Sequence, residues 1–413
     1  MRLPRVQGRR GSIRLGTGLV SQGLSSASNF ALVVVMARTT TPSEFGAFAI
    51  AYSVTWLLHG VVRGMVGETL SVTLGSRAVS RDVTAPPMGA SLLLGAGFGL
   101  LLAVIGIFWP GPELGSWFLL LACGLPLLTL QDSVRFVGFA SRQPVLAVVS
   151  DAVWVAIQVL AWAALWFLGV ASAPVLLVAW WLASGVAALA VLGRLGIPRV
   201  SSGARWLRLN GRLGSSFAAE MLLSMGAGQG TVYAVGYIVG LPAAGALRGA
   251  ESLYGPARSL ALGLRSVALP ESVYRYTSDG RATMLFYSFR VTMLMAGPAV
   301  AATLILSLLP AQLGEFLLGD VWRLAEPLMS AVGLSLVGVV LAMGSRLGLR
   351  AMQETGLALL LRAATTFLAL ILGIGGAARF GVLGAAYGLV IANTLGATLG
   401  WVLLLTRARK GSG

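Results

Sequence analysis

The stretch Gly245–Pro270, GALRGAESLYGPARSLALGLRSVALP, determines how the rest of the chain is interpreted. It is long enough to cross a bilayer, because about 20 residues suffice. It nevertheless contains four charged residues: Arg248, Glu251, Arg258 and Arg265. On one continuous helix, all four would fall within a wedge of roughly 100°. A charge at mid-membrane costs at least about 2.5–3.5 kcal/mol, so the pattern predicts that this side of the helix faces water or other parts of the protein. Pro256 is expected to kink the helix.

Two interpretations of these charges are open. In the first, Arg248 extends to the headgroups and Glu251 neutralises it at i,i+3, so that the charges are structural. In the second, the charges line a solvated cavity that handles an anion. Arg258 favours the second, because it lies about 20 Å into a core of about 30 Å.

Composition places the chain in the membrane. Of its 413 residues, 57% are hydrophobic and 11% charged, and the mean hydropathy is +0.85, whereas average proteins are about 25% charged. The 54 glycines suit closely packed membrane helices. A single cysteine, Cys123, and a single histidine, His59, give no basis for a disulfide framework or for a His or Cys metal site. We expect no cofactor, no metal and no nucleic-acid partner.

The hydrophobic pattern predicts an all-α polytopic protein with about twelve transmembrane helices. The spans are residues 16–37, 45–62, 88–109, 116–137, 145–168, 174–195, 215–239, 245–269, 288–309, 321–344, 356–376 and 383–405. An even number places both termini on one side. Most of the 30 Lys and Arg residues also lie on that side, so the positive-inside rule predicts that both termini are cytoplasmic.

The chain also contains an internal repeat. Arg135–Val153 and Arg346–Ala364 align at an offset of 211 with identical residues at five positions. We therefore predict an N-terminal six-helix half at 1–195, a basic cytoplasmic linker at 196–214 and a C-terminal half at 215–413. Two halves in the same orientation predict parallel repeats around a central cavity.

Three segments resemble the MOP flippase superfamily, in particular its bacterial polysaccharide-biosynthesis branch, the O-antigen flippase type. The first is the hairpin SQGLSSASNFALVVVMARTTTPSEFGAFAIAY, which begins at Ser21. The second is GALRGAESLYGPARSL in the eighth span. The third is the pair of cytoplasmic junctions RFVGFASRQP and RLGLRAMQE.

The resemblance implies a flippase that moves an undecaprenyl-diphosphate-linked oligosaccharide from the cytoplasmic to the outer leaflet by alternating access. It implies a bacterial plasma (inner) membrane, a polyprenyl-linked glycan lipid as substrate, and polysaccharide polymerase and ligase proteins as partners. The substrate-binding candidates for the diphosphate or an acidic sugar are then Arg248, Arg258 and Glu251.

Other polar residues within the spans form three candidate groups. Gln22, Ser25 and Asn29 share one face of the first span, where they line a cavity or form hydrogen bonds between helices. The candidates for a cytoplasmic gate are His59, Arg63, Asp132 and Arg135, with simple ion pairing and snorkelling as the alternative.

The candidates for ion or proton coupling are carboxylates within the spans. Asp151 would be neutralised by Arg142 or Arg135, and Glu220 would pair with Arg212 or carry a proton. No feature of the sequence selects one of them.

Three other functions compete with the flippase. A multidrug or cation antiporter of the same superfamily would favour carboxylates in its cavity, and the arginines of the eighth span suit an anion better. A membrane glycosyltransferase, ligase or polymerase would need a catalytic acid or base beside a sizeable outer loop, and the outer loops are short. A non-transporting scaffold for polysaccharide assembly is the third. We expect that the chain is not an enzyme.

Overall fold

The computed structural model describes residues 8–74, 80–141 and 143–409, and every regular element in these ranges is helical. The first seven α-helices are α1 (Gly8–Thr39), α2 (Pro42–Val62), α3 (Thr69–Leu74), α4 (Arg81–Phe108), α5 (Pro112–Ala140), α6 (Pro144–Phe167) and α7 (Ala173–Leu195). The others are α8 (Val200–Ile238), α9 (Leu241–Leu253), α10 (Gly255–Ser278), α11 (Gly280–Ser307), α12 (Ala311–Leu318), α13 (Trp322–Ala325), α14 (Met329–Ala351) and α15 (Thr355–Arg409). A π-helical turn, Arg63–Glu68, joins α2 to α3.

The predicted all-α fold is confirmed. Nine stretches within the described ranges are long and apolar enough to cross a membrane. The last, α15, consists of two helices joined at Gly381, whose positive φ of 65° glycine adopts without steric cost. With α15 counted as two spans, and with α8 and the α9–α10 pair as one each, the helices correspond to the twelve predicted spans.

The eighth predicted span is not one continuous helix, and the sequence-based expectation was wrong here. The helix α9 ends at Leu253 and α10 begins at Gly255, with Tyr254 between them at φ −84° and ψ −1°. Pro256 lies in the first turn of α10, where its missing N–H costs nothing. The projection onto one helical face therefore does not extend from Arg248 to Arg258.

The chain forms two compact units. The first contains the described residues of Met1–Thr39 and Ile50–Met225, and the second contains Thr40–Ala49 and the described residues of Gly226–Gly413. From Val200 onward, the segment predicted as a linker is the first part of α8. In the first unit, α5 packs against α4, α6 and α7, and α1 packs against α6. In the second unit, α14 packs against α10, α11 and α15.

The predicted repeat at the two junctions has the same helix boundaries in both copies. The helices α5 and α14 end at Ala140 and Ala351, and the next helices begin at Pro144 and Thr355. Both pairs of positions differ by 211. The backbone hydrogen bonds that close the two junctions follow the same offset. At the first junction, Ser141 N donates to Val137 O at 2.8 Å and Gln143 N donates to Gly138 O at 2.9 Å. At the second, the equivalent bonds are Met352 N to Gly348 O at 3.1 Å and Glu354 N to Leu349 O at 2.9 Å. The structure therefore confirms the register of this repeat.

Candidate functional site

The first unit contains a cavity of about 80 Å³ that is lined by both polar and aromatic side chains. Seven of the residues singled out from the sequence line it: Gln22, Ser25, Asn29, His59, Arg63, Asp132 and Arg135. The sequence assigned them to two groups, a cavity wall and a cytoplasmic gate, and the structure brings both groups to one cavity. This volume holds several water molecules, so the site as seen here admits water or one polar group of a substrate.

Asp132 is the centre of the ion pairs beside this cavity. Arg63 donates to both of its carboxylate oxygens, with Nε to Oδ2 at 3.0 Å and Nη2 to Oδ1 at 2.8 Å. Arg135 Nη1 donates to Oδ1 at 3.2 Å, so the predicted i,i+3 pair is present but is not the main contact. His59 Nε2 lies 3.6 Å from Oδ2 and makes no hydrogen bond within the described residues. The ring therefore has a buried polar atom that a water or a substrate group in the cavity can satisfy.

A second carboxylate, Asp151, is connected to Asp132 through Arg135. Its side chain is fully buried and accepts hydrogen bonds from Ser21 Oγ, from Gln131 Nε2 at 2.9 Å and from Arg135 Nε at 3.1 Å. Of the two neutralising partners predicted from sequence, Arg135 is the one observed, and Arg142 lies outside the described residues. Arg135 thus bridges the two aspartates.

The charges of this network balance. Two aspartates face two arginines, Arg63 and Arg135, and all four groups lie in helices of the first unit. A buried ion pair compensates the cost of removing each charge from water only while both partners are present. Adding a proton to either aspartate, or removing either one, would leave an excess positive charge in this hydrogen-bonded network.

The local backbone positions Arg63 on this network. Arg63 is the first residue of the π-helical turn that follows α2. Such turns are inserted single-residue bulges and occur frequently at functional sites. No residue pattern in the sequence predicts this turn, because i→i+5 bonding has no distinctive sequence signature.

An aromatic wall completes the cavity and was missed from the sequence. It consists of Tyr52, Trp56, Trp154 and Trp180. The rings of Trp154 and Trp180 lie 5.5 Å apart, and Trp154 Nε1 donates to the Trp180 carbonyl at 3.0 Å. Trp180 Nε1 donates to Ser28 Oγ at 3.2 Å. The sequence signal that could have predicted this wall is tryptophan in the middle of an apolar span, because a buried indole N–H needs a hydrogen-bond acceptor.

Asn29 is positioned from two sides. Its Nδ2 donates to the Ser25 carbonyl at 2.8 Å, and Tyr52 Oη donates to its Oδ1 at 3.4 Å. Gln22 Nε2 lies 3.4 Å from Ser26 Oγ on the same helix. Gln22 and Asn29 therefore make hydrogen bonds within α1 and between α1 and α2, as one of the two interpretations predicted. Both side chains also line the cavity, as the other interpretation predicted.

The candidates of the second unit and of α8 lie elsewhere. Arg248 Nη1 pairs with Glu251 Oε2 at 3.5 Å, and both side chains are mostly buried. Arg258 lies on α10 with an exposed side chain, and Glu220 lies on α8 with an exposed side chain. Substrate binding by Arg248, Arg258 and Glu251 and coupling through Glu220 stay predictions.

Within the described ranges, no three His, Cys, Asp or Glu side chains are grouped in a way that could hold a metal ion.

Solved structures show which fold this is. The chain is similar to a multidrug resistance MATE family transporter of the MOP superfamily in an inward-facing conformation, at 14% identity, covering 94% of this chain and 95% of that one, with a TM-score of 0.78. It is similar to MATE in the straight conformation, at 16% identity, 97% and 95% coverage and a TM-score of 0.62. It is also similar to a MOP superfamily transporter from Pyrococcus furiosus, whose binding pocket is described as having reverse polarity, at 15% identity, 96% and 95% coverage and a TM-score of 0.61.

Searches by sequence gave no relatives: no family model matches the chain, and no curated protein matches it. The structural similarity extends over nearly the whole chain, and it establishes that the chain has the fold of MATE transporters.

Proposed function

We propose that this chain is a membrane transporter that moves an undecaprenyl-diphosphate-linked oligosaccharide from the cytoplasmic to the outer leaflet by alternating access. The observation that carries the proposal is the charge of three long helices of the second unit. The helices α11, α14 and α15 contain arginines and no Asp or Glu. In the first unit, by contrast, the two arginines of the cavity are balanced by two aspartates.

A surplus of guanidinium groups suits a phosphate-bearing substrate. Arginine presents a rigid fork of donors that matches phosphate oxygens, and it stays charged in every environment. Such attraction is stronger in a membrane protein than in water, because the surrounding dielectric constant is low. Arg258, exposed on α10, is the residue we propose to meet the diphosphate or an acidic sugar. Arg248 and Glu251 would act as a pair, since their side chains are already in contact.

A multidrug or cation antiporter is the second candidate, and two observations favour it. A structure named as a multidrug resistance MATE family transporter shares this fold, and the cavity of the first unit is lined by Asp132. Against it, Asp132 and Asp151 are both engaged by arginine. A cationic substrate would have to displace a guanidinium group to reach either carboxylate.

The proposal includes a location and partners. We place the chain in a bacterial plasma membrane with both termini in the cytoplasm, as the positive-inside rule predicts. The glycan lipid is the substrate, and polysaccharide polymerase and ligase proteins would act on it after it has crossed. Of the two coupling candidates, Asp151 has a fully buried side chain, whereas the side chain of Glu220 is exposed.

The test is the fate of the lipid in cells. A strain without the protein is rescued with the wild type, with Arg258→Gln or with Arg379→Gln, a matched control at an exposed arginine on α15. Polyprenyl-linked species and surface polysaccharide are then quantified, together with susceptibility to cationic drugs.

We expect lipid-linked oligosaccharide to accumulate in the deletion strain and in the Arg258→Gln strain, and to clear with the wild type and the control. An unchanged lipid pool with increased sensitivity to cationic drugs would instead establish the antiporter. Full rescue by Arg258→Gln would remove this residue from the mechanism.

A further inference from the structure

A groove of about 540 Å³ lies on the second unit, where α11 and α15 both pack against α14. Its lining comes from the first half of α11, from Leu341 of α14 and from the last third of α15, and every lining side chain except Thr398 is apolar. The positive-inside rule predicts that this end of the three helices is cytoplasmic. The volume falls within the range of about 300–1,000 Å³ that is typical of ligand sites.

Contacts within the protein fix the walls of this groove. Trp401 Nε1 donates to the Leu341 carbonyl at 3.0 Å and so joins α15 to α14. The rings of Trp401 and Phe289 meet edge to face, with their centres 6.2 Å apart, which brings α15 against α11. One turn before Leu285, Arg281 Nη1 donates to the Ala408 carbonyl at 3.4 Å and connects the same two helices again. The groove is therefore a preformed feature of the second unit.

The α11 wall of the groove is apolar and faces outward. Phe286, Phe289 and Met293 have 63%, 51% and 43% of their surface exposed, so the described residues leave much of this wall uncovered. These three side chains lie on one face of α11, because they are three and four residues apart. An exposed apolar face of this kind on a membrane helix is covered by hydrocarbon chains or by another protein.

A positive charge lies at the edge of the same wall. Arg290 follows Phe289 directly, its side chain is exposed, and its guanidinium carbon lies 5.6 Å from the centre of the Phe286 ring. Side chains on a helix point toward the helix N-terminus, so this guanidinium is directed toward the end of α11 that is predicted to be cytoplasmic. Among the helices that form the groove, α11, α14 and α15, none contains an Asp or Glu. The groove thus combines an apolar wall with a cationic edge.

The position of Arg290 along α11 matches the depth of a lipid headgroup. Arg290 is the third residue of the span predicted from sequence, 288–309. Its guanidinium lies against Phe286, which is six residues, or about 9 Å, from the start of α11. The headgroup layer on each side of the hydrocarbon core is about 5–7 Å thick, so an arginine at this level reaches a phosphate at the boundary of the hydrocarbon.

We propose that this groove binds an anionic phospholipid, with an acyl chain against the apolar wall and the phosphate on Arg290. Arginine presents a fork of donors that matches phosphate oxygens, and basic pockets between membrane helices on the cytoplasmic side select anionic headgroups. A second copy of the chain fits less well, because the same helices would bring more arginines and no carboxylate to the contact. The site rests on the groove and its charge and does not depend on which substrate the chain transports.

The test uses lipids with brominated acyl chains, because bromine quenches tryptophan fluorescence at short range. The full-length protein is placed in nanodiscs of phosphatidylcholine and phosphatidylglycerol in which one lipid or the other is brominated, at equal mole fraction. The contribution of Trp401 is the difference between each protein and the same protein with Trp401→Phe. The central variant is Arg290→Gln. The matched control is Arg407→Gln, at an exposed arginine of α15 that already pairs with Glu354 at 3.3 Å.

We expect brominated phosphatidylglycerol to reach Trp401 in preference to brominated phosphatidylcholine by about fivefold, the factor that corresponds to about 1 kcal/mol for one arginine near anionic lipid. Arg290→Gln should abolish this preference and Arg407→Gln should retain it. Thr398→Phe, which places a ring in the groove, should reduce quenching by both lipids. Native mass spectrometry of the wild type, Arg290→Gln and Arg407→Gln, which needs no Trp401→Phe variant, should show the same order in retained phosphatidylglycerol.

Three results would overturn the proposal. The first is equal quenching by the two lipids, or a preference for phosphatidylglycerol that survives Arg290→Gln. The second is displacement of the brominated lipid by polyprenyl phosphate but not by unbrominated phosphatidylglycerol, which would assign the groove to a polyprenyl chain. The third is a dimeric protein in which neither lipid quenches Trp401, which would assign the groove to a second copy. None of these readouts requires transport, so they separate this site from the proposed function.

Discussion

Replacing Asp132 with asparagine should be among the most damaging single substitutions in the first unit. The change is nearly isosteric, yet it removes the charge that Arg63 and Arg135 share. The two guanidinium groups would then have one carboxylate in the network, Asp151, to balance them. The network would change from neutral to singly positive.

The magnitude follows from the burial of the partners. Breaking a buried ion pair by removing one partner costs about 3–5 kcal/mol. Asp132 is 5% exposed but Arg63 is 31% exposed, so water can recover part of that loss and we expect about 3 kcal/mol. At about 2–4 °C per kcal/mol for a unit of this size, the melting temperature should fall by roughly 6–12 °C.

The assay is thermal melting of the detergent-solubilised protein, and Asp82→Asn is its matched control. Asp82 pairs with Arg199 at 2.7 Å in the same unit, but the two side chains are 76% and 58% exposed. An exposed pair of this kind contributes only about 0–1 kcal/mol. A double variant, Asp132→Asn with Arg63→Gln, should recover part of the loss because it removes one uncompensated charge. If Asp132→Asn melts within 2 °C of Asp82→Asn, the balanced-charge account is wrong.

Three further predictions can be tested by the same melting assay. Asp151→Asn should destabilise the protein by about 3 kcal/mol, and its effect should not add to that of Asp132→Asn, because both act through Arg135; simple additivity would contradict the shared network. Gly46→Ala should cost about 1–3 kcal/mol, because a Cβ at this position would overlap the Leu241 carbonyl. The control is Gly97→Ala, whose Cβ would contact no neighbouring atom and which should be neutral or slightly stabilising. Equal effects of the two substitutions would refute this packing argument. Tyr254→Phe should cost about 0.5–1.5 kcal/mol, since its hydroxyl donates to the Met329 carbonyl at 2.7 Å, and an unchanged melting temperature would show that the bond contributes nothing.

The helical content and the repeat were within reach of the sequence, because both rest on simple periodic signals. An apolar run of about 20 residues crosses a bilayer as an α-helix, because a helix satisfies all of its backbone hydrogen bonds internally. The alignment of Arg135 with Arg346 also predicted that the two helix junctions are equivalent. The break at Tyr254 was only partly foreseen: Pro256 indicated a kink, but the projection of four charges on one face still assumed an unbroken helix.

The site was harder to predict because its contacts join residues distant in sequence. Arg63 and Asp132 were each identified, but their paired hydrogen bonds connect α5 to the π-helical turn after α2, and no residue pattern predicts such a turn. The sequence suggested His59 with Arg63, and Asp132 with Arg135, because i,i+3 and i,i+4 spacing is all that a single helix can reveal. The partners of Asp151 on α1 and α5 likewise depend on packing between helices.

The most direct test of the proposed function is transport by the purified protein in liposomes. A fluorescent polyprenyl-diphosphate disaccharide is placed in one leaflet, and its appearance in the other is followed by quenching. A permeant cationic dye is measured in parallel under an imposed proton gradient. We predict protein-dependent movement of the glycolipid and none of the dye, with the glycolipid signal reduced at least tenfold by Arg258→Gln and unaffected by Arg379→Gln. Transport of the dye without movement of the glycolipid would contradict the account and establish a cation antiporter on the same fold.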